Sequence, residues 1–141
     1  MASIFTKIIR NEIPSYKVAE NENYIAILDA FPLVKGHVLV IPKKEVDKLF
    51  ELDRETYLGL MDFAYSIAPA IEKAIPCKRI GVAVVGLEVP HVHVHLVPLN
   101  TMQDINFTQP KLSLSAEEMR KIADKIKSVS YTHLRAHETL R

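Results

Sequence analysis

Three of the chain's six histidines stand at alternate positions in the stretch HVHVHLVP, residues 91–98. Because side chains alternate across a β-strand, His91, His93 and His95 are predicted to share one face, while the apolar residues between them face the core. A row of imidazoles is a poor choice for a purely structural strand, since each partly buried ring needs hydrogen-bond partners or costs about 1–3 kcal/mol. The pattern therefore indicates chemistry at this face.

The residues alone leave three roles open for this row. A neutral imidazole can attack an electrophile while neighbouring rings fix its tautomer, donate to developing negative charge and protonate the leaving group. Zinc is the second possibility, with His37 and Glu88 as outside ligands, although three same-face positions span roughly 13 Å and suit bonds of about 2 Å only if the strand bends. The third is a solvated row of histidines without a function.

The strand pattern around the row predicts about five strands. SYKVAEN and NYIAILD read as a hairpin, GHVLVIPK as a third strand, and RIGVAVVG with HVHVHLVP as two further antiparallel strands. A short apolar helix or turn precedes them at residues 4–9.

Helical periodicity appears in two places. Apolar residues recur at helical spacing through residues 53–75, with Asp53 as N-cap, and Pro69 is expected to bend or split this helix. Ser115 and Glu118 fit a capping box at the start of a final helix. The sequence predicts an α+β fold, a mostly antiparallel sheet with one long helix and a C-terminal helix packed against it.

Length and composition favour one globular domain, over residues 1–128. The chain has 141 residues, 48% of them hydrophobic and 25% charged, and a formal net charge of +1, which gives no basic stripe for nucleic acid. No apolar run approaches the length of a membrane span or a signal-peptide core. The single cysteine, Cys77, suits a reducing compartment, and the cytoplasm is the expected location.

Residues 129–141 differ from the rest of the chain. The stretch SYTHLRAHETLR has no apolar period and resembles a translated sequencing-adapter end joined to the reading frame. We expect the native domain to stop near Lys127 or Ser128, so His133 and His137 are excluded from the chemistry. The alternative is a genuine flexible tail.

Three blocks of sequence, in order, resemble one known family. They are IFTKIIRNEIPSYKV, LDAFPLVKGHVLVIPKK and VPHVHVHLVP, and the last contains the His-φ-His-φ-His-φ-φ signature, φ being apolar, of the histidine-triad (HIT) nucleotide-binding family. Together they cover most of residues 3–99. They look like the nucleoside phosphoramidate hydrolase branch, and GLEVPH is similar to a bacterial subgroup. The resemblance implies the HIT-like fold.

The resemblance also implies roles for four histidines. His93, in the middle of the motif, would attack the α-phosphorus of a nucleotide and become a nucleotidyl-histidine that water hydrolyses. His95 would donate to the phosphate and leaving-group region, and His91 would orient the nucleophile from behind. His37 occupies the place of the family's fourth histidine. Without the resemblance, its position indicates only a core or strand-end histidine with satisfied hydrogen bonds.

Nucleotide binding is implied at six further positions. By resemblance the base pocket is lined by Ile4, Phe5, Ile8 and Ile27. Asp29 would accept hydrogen bonds from the ribose, although an aspartate after a strand is commonly a turn former. Glu88 stands where the family often has a serine or threonine, so this loop departs from the family's pattern of phosphate contacts. Glu88 would either contact an amine on the leaving group or be a solvated loop charge.

The expected activity is hydrolysis of nucleoside 5′-monophosphate derivatives, preferentially purine nucleoside phosphoramidates and adenylated amines. The alternatives are a dinucleoside polyphosphate hydrolase or phosphorylase, and a non-catalytic nucleotide-binding protein. No metal or other cofactor is required by this scheme, and zinc is the alternative. By family analogy the partner is a second copy of the chain, in a homodimer that extends two five-stranded sheets into one.

Overall fold

Five strands form one antiparallel sheet in the computed structural model, which describes the backbone of residues 2–139 and the side chains of residues 2–129. They are β1 (Lys17–Glu20), β2 (Tyr24–Leu28), β3 (Val38–Pro42), β4 (Arg79–Ala83) and β5 (Val94–Leu99). Their order across the sheet is β1-β2-β3-β5-β4, and every neighbouring pair is antiparallel. The predicted hairpin, strand number and sheet type are confirmed.

Three helices accompany the sheet: α1 (Ile4–Ile9), α2 (Arg54–Ala74) and α3 (Ala116–Thr139), with 3₁₀ turns at Leu49–Glu51 and Met102–Ile105. Asp53 caps α2 as predicted, because its carboxylate accepts the Thr56 N–H at 3.0 Å. Pro69 lies inside α2 without splitting it. The Ser115 hydroxyl accepts the Glu118 N–H at 3.1 Å, as expected for the start of α3.

The backbone of α3 continues to Thr139. The last dozen residues, which lack an apolar period, are expected to continue no element, so the helix is longer than the sequence predicts. The side chains of residues 130–141 lie outside the described part of the chain, including those of His133 and His137. The foreign origin of this segment stays a prediction.

The main core lies between one face of the sheet and helices α2 and α3. Strand residues on this face include Ala26, Val40, Val94 and Leu96, and the helices contribute residues such as Leu60, Ile67, Ile71, Met119 and Ile126. Gly59 lets α2 approach β2 closely, since a Cβ there would lie 2.8 Å from Tyr24 Cζ. In the described residues no helix is long and apolar enough to cross a membrane.

The opposite face of the sheet carries a smaller apolar cluster beneath α1. It consists of Phe5, Ile8, Ile25, Ile27, Leu39 and Ile41. Leu39 is the sheet partner of His95, so His95 lies on this second face while Val94 and Leu96 enter the main core. The predicted separation of imidazoles from apolar neighbours is therefore present, and the site forms on the α1 side of the sheet.

Candidate active site

The histidine row lies only partly in the sheet. The ladder of β5 begins at Val94, so His95 belongs to the strand while His91 and His93 precede it, which corrects the prediction that one strand carries all three. The reason is that the backbone there pairs with loops: the Val92 N–H donates to the Val46 carbonyl at 2.8 Å. The rings of His93 and His95 still meet, with centroids 4.8 Å apart.

A cavity of about 200 Å³ opens beside these rings. It is lined by Asp29, His37, Val85, Gly86, Leu87, Glu88, His93, His95, Phe107 and Lys111. The fold thus brings together five residues named from the sequence, from the ends of β2 and β3, the loop before the triad and the start of β5. His91 is fully buried behind the cavity.

The ring of His93 is oriented by a hydrogen bond to the backbone two residues before it. Its Nδ1 lies 2.8 Å from the His91 carbonyl oxygen. Because a carbonyl only accepts, Nδ1 carries a proton, so in the neutral form of the ring the lone pair is on Nε2. Phe5 packs edge-on against the ring, with centroids 4.9 Å apart. His93 is therefore a fixed imidazole whose neutral form presents Nε2 as a nucleophile.

His37 and His95 form a directed chain of hydrogen bonds. The Leu33 backbone N–H donates to His37 Nδ1 at 3.1 Å, so His37 carries its proton on Nε2. That Nε2–H donates to His95 Nδ1 at 2.9 Å, which in turn places the His95 proton on Nε2. The chain therefore ends in an N–H donor of His95, on a ring that lines the cavity.

Burial keeps both of these rings neutral. Desolvation, with the positive charges of neighbouring groups, lowers the pKa of His37 to about 3 and that of His95 to about 4. Asp29 also responds to burial, which raises the pKa of its carboxyl group. Its Oδ2 lies 3.7 Å from His37 Nε2, and its Oδ1 accepts the Phe31 N–H at 2.9 Å. The carboxylate thus has a defined orientation at the cavity wall.

His91 is fixed on both ring nitrogens. Its Nε2–H donates to the Pro42 carbonyl at 2.8 Å, and its Nδ1 accepts the Ser3 hydroxyl at 2.6 Å. Glu45 holds this end of the chain in place, accepting the Ser3 N–H at 2.7 Å and the Thr6 hydroxyl at 2.6 Å. These two hydrogen bonds lower the pKa of Glu45 to about 2. His91 is a positioning group, because its carbonyl orients His93.

The four residues expected to line a base pocket are not among those that line this cavity. Phe5, Ile8 and Ile27 belong to the small apolar cluster beneath α1, and Ile4 is 49% exposed on that helix. Phe5 is the member that touches the triad, through the rings of His91 and His93. Their role in base binding stays a prediction.

Four residues on two sides of the site were not predicted from the sequence. Phe107 packs edge-on against His95 at 4.8 Å between centroids, and Lys111 lines the same cavity. Ser3 and Glu45 support His91 from α1 and the segment after β3. None of the four stands in a periodic or motif-like pattern, so no signal in the sequence singles them out.

Asp29, His37 and His95 are also close enough to be considered as metal ligands, since their donor atoms lie within 4.8 Å of one another. However, His37 Nε2 and His95 Nδ1 are 2.9 Å apart, whereas a tetrahedral zinc ion would hold two nitrogens about 3.3 Å apart. The Leu33 donor also fixes the proton between the rings. This spacing fits a hydrogen bond better than a shared zinc ion.

Comparison with known proteins places the chain in a family. Residues 10–102 match the HIT domain model. The adenosine 5′-monophosphoramidase of Schizosaccharomyces pombe is 33% identical over 131 residues, covering 91% of this chain and 98% of the relative. The Hit-like protein of Bartonella henselae is 33% identical, with a TM-score of 0.79 over 90% of this chain and 95% of its own.

A zinc-bound histidine triad family protein from Mycobacterium smegmatis has a TM-score of 0.80, with 96% of this chain and 98% of that chain covered. At 24% identity its likeness concerns the fold. The match over residues 10–102 includes His37 and the whole row at 91–95. The chain therefore belongs to the HIT domain family, the histidine-triad proteins.

Proposed function

We propose that the chain hydrolyses nucleoside 5′-monophosphate derivatives through a covalent intermediate on His93, with purine nucleoside phosphoramidates and adenylated amines as its preferred substrates. The observation that carries the proposal is the hydrogen bond from His93 Nδ1 to the His91 carbonyl, which leaves Nε2 with a lone pair. A relative named adenosine 5′-monophosphoramidase, 33% identical to this chain, supports the substrate class.

In the first step His93 Nε2 attacks the α-phosphorus and the phosphorus–nitrogen bond breaks. The amine leaves neutral with the bonding electron pair, since its nitrogen has taken a proton from solvent beforehand. The attacking ring becomes cationic, and its Nδ1–H then donates more strongly to the His91 carbonyl. The backbone thus stabilises the charge that develops on the nucleophile.

His95 acts in this scheme as a hydrogen-bond donor to the phosphoryl oxygens. Its Nε2–H is available because Nδ1 accepts from His37. His37 in turn cannot rotate without losing the Leu33 N–H. The pair is thus preorganised toward negative charge on the phosphate, and His37 positions His95.

In the second step water attacks the phosphorus of the nucleotidyl-histidine. The bond between phosphorus and Nε2 breaks, the lone pair returns to His93, and the nucleoside monophosphate leaves with a proton released to solvent. The scheme requires no metal ion, because the imidazole supplies the nucleophile and ring N–H groups meet the charge. The cytoplasm stays the predicted location of this activity.

We also propose that the functional unit is a homodimer. Among the described residues no strand pairs with the outer edge of β4, which ends the sheet. Beside that edge, α2 and β4 form a largely apolar groove that includes Met61, Ala68, Ile80 and Val82. A second copy would cover the exposed strand edge and this groove together.

The decisive experiment follows release of AMP from adenosine 5′-phosphoramidate. We expect His93→Ala to lower turnover by more than about 1000-fold, since it removes the nucleophile, with the circular dichroism spectrum of the folded protein retained. Rapid quenching of the wild-type reaction should give a peptide containing His93 with the mass of a bound nucleotide.

The outcomes separate the candidate functions. Wild-type activity in His93→Ala would refute the covalent mechanism. Faster turnover of diadenosine polyphosphates than of phosphoramidate would select the dinucleoside polyphosphate class. Binding of AMP with phosphoramidate left intact would select a non-catalytic nucleotide-binding protein, and loss of activity with a chelator followed by recovery with zinc would select a metal-dependent hydrolase.

A further inference from the structure

Charge in the cavity is unevenly distributed among the side chains that line it. Asp29 and Glu88 contribute carboxyl groups, and His37, His93 and His95 contribute imidazoles. Lys111 is the one lysine or arginine that lines it among the residues whose side chains the structure describes. Any ligand that carries a phosphate brings negative charge beside these acids, so the cavity needs a cation if it binds such a ligand.

His93 attacks as a neutral ring in the proposed function, and the other two histidines, His37 and His95, do not supply that cation in the ligand-free site. The Leu33 N–H and the hydrogen bond between His37 and His95 assign one proton to each ring, which is the neutral form of both. Burial keeps the pKa values of these rings near 3 and 4, well below neutral pH. Ring N–H groups can donate to phosphate, but the fixed positive charge must come from elsewhere.

Lys111 is placed to provide it. Its Nζ donates to the Phe107 carbonyl at 2.7 Å and lies 5.8 Å from the Phe107 ring centroid. Phe107 itself packs against His95. The Leu112 N–H donates to the Pro32 carbonyl at 2.8 Å, which fixes the segment that carries Lys111 beside the end of β2. Lys111 therefore stands on an anchored segment at the cavity wall.

The ammonium group retains capacity for a ligand. It has three N–H donors, of which the Phe107 carbonyl takes one. Within the described residues Lys111 makes no ion pair with a carboxylate inside 4 Å, unlike Lys35, whose Nζ lies 3.7 Å from Glu118. Its charge nonetheless reaches the site, because it adds to the effect of burial on His37 and His95.

From this placement we propose that Lys111 binds the 5′-phosphate of the substrate, as a cationic contact contributed by the segment that follows β5. The inference rests on the proposed function and adds to it a residue that discriminates a nucleoside phosphate from the bare nucleoside. It also explains how the site can bind phosphate although the loop before the triad carries the acidic Glu88. The positive charge that faces the phosphate comes from another segment.

The test measures binding of AMP and adenosine by titration calorimetry to the wild type and to three variants. Lys111→Met removes the charge and keeps the length of the side chain, and Lys111→Arg keeps the charge. Lys35→Met is the matched control, since it makes the same charge change outside the cavity. Each titration is repeated at low and high potassium chloride, because screening weakens an exposed contact.

We expect Lys111→Met to weaken AMP binding about tenfold, as for a charge-assisted hydrogen bond at a solvent-exposed site. Adenosine binding should change less than about twofold, because adenosine has no phosphate, and Lys35→Met should bind both ligands as the wild type does. Lys111→Arg should restore most of the affinity for AMP. An equal loss of AMP and adenosine affinity, or none for either, would overturn the proposal.

Phosphoramidate turnover, measured on the same proteins, separates this inference from the proposed function. If the wild type releases AMP and Lys111→Met binds AMP as tightly, the role of Lys111 is wrong and the function stands. If the wild type binds AMP in a Lys111-dependent way but leaves phosphoramidate intact, the function is wrong and the phosphate contact stands. A wild type that binds no AMP would refute both.

Discussion

The orientation of His93 depends on a chain of contacts that begins at Ser3. The Ser3 hydroxyl holds His91 Nδ1, the Pro42 carbonyl holds His91 Nε2, and the His91 carbonyl holds His93 Nδ1. Ser3 is 88 residues away from His91 in sequence and also caps α1, accepting the Thr6 N–H at 3.1 Å. One hydroxyl therefore links the N-terminal helix to the nucleophile.

Ser3→Ala should lower kcat for phosphoramidate about tenfold with little change in KM. The substitution leaves His91 Nδ1 buried without its donor, at a cost of about 1–3 kcal/mol, and the ring can move to recover a partner. His93 then loses its alignment while the cavity keeps its lining. Steady-state kinetics and urea unfolding of the same preparations give both quantities, and Ser3→Thr, which keeps the hydroxyl, should retain most of the kcat.

Asp53→Ala is the control for stability. It removes the N-cap of α2, away from the cavity, and should cost about 1 kcal/mol of unfolding free energy with kcat unchanged. If Ser3→Ala loses as much unfolding free energy as Asp53→Ala but keeps the wild-type kcat, then Ser3 only caps α1.

The site could be predicted where residue type and spacing carry the information. The alternating histidines, with His37 and Asp29 from the matching blocks and Glu88 from the loop before the triad, lead to five residues that the fold gathers around one cavity. Lys111 and Ser3 could not be found in this way. Both are common surface residue types, and their contacts with the site depend on how distant segments pack.

At the scale of elements, packing explains why Pro69 does not split α2. α2 continues through Pro69 because buried residues on both sides of it, among them Ile67 and Ile71, pack against the sheet. That contact outweighs the loss of about 3 kcal/mol in helix propensity at a proline. No local pattern can report such a contact.

The late start of β5 has a local cause in its partner strand. The ladder between β3 and β5 runs only from Val38 opposite Leu96 to Val40 opposite Val94. Further along β3, Pro42 has no N–H to give, and its carbonyl accepts from the His91 side chain. The histidines therefore leave the sheet where β3 stops offering backbone partners, which frees the His91 carbonyl for His93.

The proposed dimer is tested at the exposed edge of β4. Val82 is 54% exposed and lines the groove between β4 and α2, so Val82→Asp should place a charge in the interface without disturbing the monomer core. We expect sedimentation equilibrium to give a dimer for the wild type and a shift toward monomer for Val82→Asp, with the circular dichroism spectrum retained.

Leu58→Asp is the matched control for this variant. Leu58 is 57% exposed, about the same as Val82, and lies on α2 outside the groove. It should remain as dimeric as the wild type. A monomeric wild type at tens of micromolar, or a Val82→Asp protein with unchanged mass, would contradict the dimer.

For the molecule as a whole, the site adds a pH dependence to stability. His37 and His95 are buried and neutral in the folded state, whereas in the unfolded chain they would take up protons near the ordinary histidine pKa of 6.5. The unfolded state therefore binds more protons below about pH 6.5, and the folded state loses stability as pH falls. Asp29, whose pKa is raised by burial, acts in the opposite direction.

The contribution of His95 can be isolated with His95→Gln, which removes the titrating ring and leaves the other ionisable groups in place. A pKa that falls from 6.5 to about 4 on folding corresponds to about 3 kcal/mol of unfolding free energy, present at pH 7 and lost progressively as pH falls toward 4. Urea unfolding at pH 7, 5.5 and 4.5 should therefore show a steeper loss of stability for the wild type than for the variant, because ionisable groups that do not interact with His95 contribute equally to both proteins. Parallel pH profiles for the two proteins would show that the His95 ring titrates alike in the folded and unfolded chain, and that the hydrogen bond from His37 does not keep it neutral.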